Sequence, residues 1–144
     1  MRWCPSGRST LLPLPADNLL EGLDAAGNLA WAAKVRTGSP LAPADVEQHL
    51  AAVGLGQCAA KRVRQLSGGE QLRLALACGM AGDPRLVVAD EPTASLDRAN
   101  ASAMVDAMRA AADRGVTLVV ASHDTHILDQ ADQIVRLDHG RRVP

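Results

Sequence analysis

The hydrophobic positions of this chain change period part-way along it. From residue 25 to about 35 runs an Ala-rich stretch with Leu29 and Trp31, read as a helix that Thr37-Gly38-Ser39-Pro40 breaks. Pro43 suits the first turn of a second helix. In it Val46, Leu50 and Val53 recur at spacings of four and three, one apolar stripe that ends at Gly54 and Gly56. Lys61-Arg62-Val63-Arg64 is a short basic connector. A third helix spans about 69–81, with Leu72, Leu76 and Met80 on one stripe, and Gly82-Asp83-Pro84 stops it. Beyond that point the period shortens. Residues 86–90 and 116–121 are nearly continuous apolar runs, the pattern of strands buried on both faces. A helix over about 98–113 lies between them, with Val105, Met108 and Ala112 inward and Gly115 just past its end. A short helix at about 125–130 and a third strand at 134–137 follow. Residues 1–24, broken by Pro5, Gly7, Pro13, Pro15 and Gly22, read as irregular.

Strand, helix, strand, helix, strand is the rhythm of a parallel α/β sheet. The chain therefore divides into an irregular segment 1–24, a helical subdomain 25–65, and an α/β region 66–144, together one domain.

Composition narrows the function classes. A length of 144 residues fits one ordinary domain or a piece of a larger one, and 47% hydrophobic residues are ample for a core. The net charge of −1 leaves no basic footprint for nucleic acid, and two Trp with no Phe or Tyr make no stacking platform for bases. Cys4, Cys58 and Cys78 are odd in number and widely spaced, so they make neither a metal-type pair nor a disulfide framework; reduced thiols in a cytoplasm are the expectation. The start shows no apolar secretion stretch, and no apolar run is long enough for a bilayer. Membrane association is expected only through a partner.

Two motifs carry chemistry. Leu66-Ser67-Gly68-Gly69-Glu70 opens the third helix. Ser67 and Glu70, three apart, form a capping box, a purely structural role. The two glycines ask for more: at a helix start they let backbone N–H groups approach an anion, with the helix dipole adding positive potential. The second motif is Asp90-Glu91 at the end of an apolar strand. Ligands of open parallel sheets bind beyond the carboxyl ends of the strands. Two adjacent carboxylates there repel unless a cation or proton is managed locally, and Mg²⁺ with a nucleotide does that. One carboxylate serves the metal's water shell; the other orients an attacking water or takes its proton. The plain alternative is a solvated strand end, and Pro92-Thr93 suits a turn. His123 ends a strand parallel to that of Asp90, so a neutral imidazole there reaches the same crevice. Asp97 is most simply the N-cap of the helix that follows.

Taken jointly, these segments resemble the ATP-binding cassette (ABC) ATPases. LSGGE at 66–70 resembles the signature, LVVADEP at 86–92 the Walker B strand with its following glutamate, Ala94-Ser95-Leu96-Asp97 the D-loop, and His123 in Ala121-Ser122-His123-Asp124 the switch histidine. The segment from Asp17-Asn18-Leu19-Leu20 through Asn28 resembles the lead-in to the helical subdomain of lipoprotein-release and macrolide exporters. The likeness covers roughly residues 14–140. It implies a P-loop NTPase-like α/β fold with an inserted helical subdomain. It also implies ATP and Mg²⁺ as cofactors, with Asp90 serving the metal, Glu91 as catalytic base and His123 as sensor of the γ-phosphate. Ser67, Gly68, Gly69 and Glu70, with Asp97, would contact ATP held by an opposite ATPase subunit. Partners by resemblance are that second subunit and a transmembrane permease, with the chain peripheral on the cytoplasmic face of the membrane.

Departures temper the implication. A phosphate loop reads G-x-x-x-x-G-K-[ST] after a strand, and this chain has no Gly-Lys pair; its lysines are Lys34 and Lys61. Gly7-Arg8-Ser9-Thr10 is a faint echo, with Arg8 where Lys belongs. Pro15 stands where a glutamine is expected, no aromatic is placed to stack on adenine, and Cys78 stands where the signature helix often has Arg. The expected sheet is therefore partial: it lacks the P-loop strand, the strand at 116–121 keeps an open edge, and the N-terminus reads as incomplete. The alternative is a non-catalytic truncated module that pairs with an intact ATPase. A chromosome-maintenance ATPase ranks last, because heptad arrays and a basic surface are missing.

Overall fold

A computed structural model describes residues 9–11, 19–94 and 96–143 of the chain. The expectations placed on Cys4, Gly7-Arg8, Pro13, Pro15, Asp17-Asn18 and Ser95 lie outside these residues. The elements are β1 (Ser9–Leu11), α1 (Ala25–Thr37), α2 (Pro43–Ala52), α3 (Gly68–Met80), β2 (Leu86–Asp90), α4 (Arg98–Asp113), β3 (Thr117–Ala121), α5 (Thr125–Asp129), β4 (Arg136–Asp138) and β5 (Arg141–Val143).

Local chemistry sets the helix limits. Asp24 caps α1 by accepting the Gly27 N–H at 2.7 Å, and Gly38 at φ 84° closes its other end. The buried Asn28 amide takes the Leu20 N–H at 2.7 Å and donates to the carbonyls of Leu20 and Asp24, which fixes the approach to α1. Pro43 sits at the start of α2. The helix α3 lies between α1 and α2 on one side and α4 on the other. It is therefore buried beyond one stripe: Leu74, Ala75, Leu76, Ala77, Gly79 and Met80 are all inside. Leu29, Leu50, Val53 and Leu55 are buried with it in one continuous core. Arg36 of α1 donates to the carbonyls of Cys78 and Ala81, adding a side-chain donor to the acceptors at the end of α3.

The sheet order is β1-β2-β3, all parallel. This corrects the irregular reading of residues 1–24, because Ser9, Thr10 and Leu11 pair with Leu86, Val87 and Val88. It also removes the faint phosphate-loop echo. Ser9 and Thr10 lie in a strand, whereas such a loop must place them at the opening of a helix. In β2 Val87 and Ala89 are fully buried. Burial on both faces does not extend to β3, whose residues alternate exposed and half-buried. Among the described residues β3 has a strand neighbour only on its β2 side. The strand expected at 134–137 is displaced to 136–138 and leaves the parallel sheet. It pairs antiparallel with β5 across His139 and Gly140, both at positive φ (46° and 75°), a combination of the tight primed turn.

Candidate nucleotide site

Two clusters gather the candidate residues. The first stands at the carboxyl ends of β2 and β3, where the register sets Asp90 beside Ala121. Glu91 follows with φ 44°, a conformation sparsely populated by residues other than glycine. Its N–H is held by the Ala121 carbonyl at 2.8 Å. The turn directs its carboxylate across to the next strand. There Oε1 meets His123 Nδ1 at 2.8 Å and Oε2 accepts the Ser122 hydroxyl at 3.1 Å. The hydrogen bond from His123 holds Glu91 below the usual carboxylate range, and the reciprocal bond, with the carboxylate's charge, lifts His123 above its ordinary value. Relative to a free imidazole, the contact shifts the ring toward its protonated form. Nearby, the buried Thr93 donates to Asp124 Oδ2 at 2.7 Å, and Asp124 also caps α5 through the His126 N–H. The Thr93 hydroxyl, then the His126 N–H, hold Asp124 low. Glu91, Thr93, Ala94, His123, Asp124 and Thr125 line a cleft of about 360 Å³. Asp90 stands exposed at the end of β2, one residue before Glu91, and is not among the residues that line the cleft.

The second cluster is the start of α3. The capping box forms as its spacing predicts: Ser67 Oγ accepts the Glu70 N–H at 3.2 Å, and Glu70 Oε2 accepts the Ser67 N–H at 2.7 Å. That second bond is the main reason Glu70 sits below the usual carboxylate range. Its other oxygen takes the Cys58 thiol at 3.4 Å and the Lys61 ammonium at 3.5 Å. In front of Gly68 a Cβ would meet nothing within 4 Å. Gly69 differs: a Cβ there would come within 2.9 Å of the Asn100 side chain. Asp97 is the N-cap of α4, as expected, and accepts both the Asn100 N–H at 2.9 Å and the Asn100 amide at 2.6 Å. These two bonds hold it low.

Of the residues that the sequence singles out, the fold sets Ser67, Gly68, Gly69, Glu70 and Asp97 in one group and Asp90, Glu91 and His123 in another. Sequence reasoning missed Ser122, Thr93, Asp124, Arg73 and Asn100. For Asp124 a signal existed, since an Asp immediately before a short helix is a capping position. The others act through contacts between residues distant in the chain.

The profile of the ABC transporter family matches residues 9–94. The chain belongs to the ABC transporter family. It is 44% identical over 98 residues to the lipoprotein-releasing system ATP-binding protein LolD of Anaeromyxobacter dehalogenans, a match spanning 67% of this chain and 41% of that one. It is 34% identical over 128 residues to the macrolide export ATP-binding/permease protein MacB of Rhodospirillum rubrum, spanning 88% of this chain and 20% of the relative. The chain therefore spans well under half the length of these curated relatives. Its fold is similar to the dimeric, post-hydrolysis ATP-binding cassette MJ0796 bound to ADP and Pi. That superposition has a TM-score of 0.79 over 95% of this chain and 62% of the other, at 24% identity. The fold class is accordingly that of the P-loop NTPase-like α/β cassettes.

Proposed function

We propose that this chain is an ATP-binding subunit of an ABC transporter of the lipoprotein-release and macrolide-export type, working as one half of a head-to-tail ATPase pair beside a membrane permease. The observation that carries the reading is the start of α3, where the Ser67–Glu70 box fixes a helix opening whose Gly68 faces open space. Backbone N–H groups and a 13-residue helix dipole are then presented to an anion. A nucleotide held by the opposite subunit suits that surface. Mg²⁺-ATP, when bound, supplies the phosphoryl group and its cation. The fit rests on the donor set: an exposed carboxylate at Asp90 for the metal's waters, and a cleft beside Glu91 and His123. In this reading Glu91 orients the attacking water and accepts its proton at Oε1. His123, hydrogen-bonded to that same oxygen, would hold the terminal phosphate when the nucleotide is bound.

A second reading keeps the chain as a non-catalytic module paired with an intact ATPase. The chain then lends its signature to an intact ATPase and turns over no ATP of its own. One experiment addresses both. A LolD-type ATPase subunit whose signature serine is replaced by arginine is mixed with this chain, and ATP hydrolysis is followed. Restored turnover that is lost with Ser67→Arg supports the pairing; turnover that stays at background sinks it. Placing a relative's phosphate loop ahead of this chain separates the two readings. There Glu91→Gln is expected to lower turnover by about a hundredfold or more if Glu91 is the base. Undiminished turnover in that variant discards the assignment.

A further inference from the structure

The contact between the starts of α3 and α4 has a role that neither helix explains alone. Asn100 stands three residues after the Asp97 cap. Its side-chain nitrogen donates to Asp97 Oδ2, and its oxygen accepts from Arg73 Nη1, four residues into the α3 side of the contact from Gly69. The amide has one orientation only. A guanidinium can only donate and a carboxylate only accept, so a flipped amide would lose both bonds. The same side chain lies where a Cβ on Gly69 would be, at 2.9 Å. Arg73 brings its charge at some cost, since its Nε is buried and unpaired among the described residues. Cap residue, amide, guanidinium and glycine therefore form one closed contact between two segments about thirty residues apart in the chain.

We infer that Asn100 is a positioning residue. It joins the Gly68-Gly69 helix opening to the Asp97 turn, so that the two surfaces presented to the opposite subunit move as one body. The inference rests on the proposed function for its consequence in turnover, but not for the contact itself. Gly69 is small because Asn100 occupies its flank, whereas a Cβ at Gly68 would meet nothing within 4 Å. The two glycines thus do different work. Arg73 holds the amide from the helix side and Asp97 from the turn side.

The test uses the full chain. Hydrogen–deuterium exchange is followed in segments 66–72 and 96–101 for the wild type, Asn100→Ala, Arg73→Ala and the double variant. Each single variant is expected to speed exchange by about tenfold in both segments. The double variant is expected to be no worse than the worse single, because both act through one contact. Acceleration confined to 96–101 in Asn100→Ala, or single effects that multiply, overturns the inference. Should Asn100→Ala lose its cooperative melt, the glycines carry the test. Gly69→Ala is expected to speed exchange in 96–101 by displacing Asn100, whereas Gly68→Ala leaves 96–101 unchanged; equal effects of the two overturn the inference. In the mixed assay with the signature-defective subunit, Asn100→Ala is expected to lower kcat severalfold with KM for ATP unmoved, since the partner holds the nucleotide. A loss carried by KM, or none, counts against Asn100. If wild-type chain gives no turnover there while exchange stays coupled, the proposed function fails and the positioning contact stands.

Discussion

The helical half and the sheet half of this molecule use similar apolar residues to different ends. In the helical half Leu29, Leu50, Val53 and Leu55 are almost wholly removed from water, and they join α1, α2 and α3 in one core. In the sheet half the inner face of α4 is treated that way, with Met104 and Ala111 wholly buried, but among the strands only β2 is. Val119 of β3 is 52% exposed and Leu137 of β4 70%, with Ile134 and Val135 also turned outward. Burial of apolar area is the main favourable term in folding. The helices therefore hold their own shape, and β2 holds its place by pairing on both edges. The far strand is kept by hydrogen bonds to β2 and by the half-buried Leu118 and Val120. The candidate site residues sit on both halves: the start of α3 on the well-packed one, and Glu91 and His123 on strand ends that border the exposed one.

The largest expected effect falls on the helical core. Leu50→Ala removes a fully buried side chain between α2 and its neighbours, and the loss is expected to be about 2–5 kcal/mol in chemical denaturation. A loss below about 1 kcal/mol would mean that the helical half is loosely packed and the contrast with the sheet half is false. Next comes Gly82→Ala. Gly82 adopts φ 78° after α3, and a Cβ there would lie 2.6 Å from Thr37 Cγ2 of α1. Strain and overlap together are expected to cost about 1–3 kcal/mol. The same substitution at Gly22, with nothing within 4 Å, serves as the mild control.

What was readable in the chain beforehand follows the same division. The start of α3 was legible because its determinants, Ser67 and Glu70, are three residues apart and act on each other. The strand β2 and the caps at Asp97 and Gly115 were legible for the same reason: their signals are local. The strand β1 was not. Three residues carry no period, and their partner is Leu86, far along the chain. The hairpin β4–β5 was hidden because His139-Gly140 is a weaker turn signal than Asn-Gly, and because the apolar run 134–135 lies before the strand rather than in it. The roles of Ser122, Thr93 and Asn100 depend on neighbours 31, 31 and 27 residues away, in Glu91, Asp124 and Arg73. No periodicity carries such pairs. Apolar runs also proved a poor guide to burial, since the run in β3 looks like that in β2 and ends half in solvent.

At the border of the two halves the Glu91–His123 pair makes a pH-dependent contact. Glu91 titrates below its ordinary 4.5 and His123 above its ordinary 6.5. The contribution from Glu91 is present above 4.5 and is lost as pH falls through its lowered value. The contribution from His123 is present below 6.5 and is lost as pH rises through its raised value. The contact is complete between those limits. Titration of His123 by NMR is expected to show a midpoint above 6.5 that moves back toward 6.5 in Glu91→Gln. A midpoint unmoved by the substitution would place the cause elsewhere and detach His123 from the carboxylate.

The smallest expected effect sharpens the comparison most. Val119→Lys places a charge in the middle of β3, whose outer positions face water. In a buried strand such a change is severely destabilising; on an exposed one it is worth within about 0.5 kcal/mol either way. The expected result is an unchanged denaturation midpoint together with weaker self-association at high concentration, read by sedimentation. An apolar strand edge is a template for pairing with other chains, and a lysine on it blunts that tendency. If the variant instead loses more than about 1 kcal/mol, Val119 is covered in solution and the sheet half is packed like the helical one. If stability and self-association both stay as they were, the β3 edge without a strand neighbour among the described residues is not where copies of the chain meet, and the outward residues at 134–137 become the next place to put the charge.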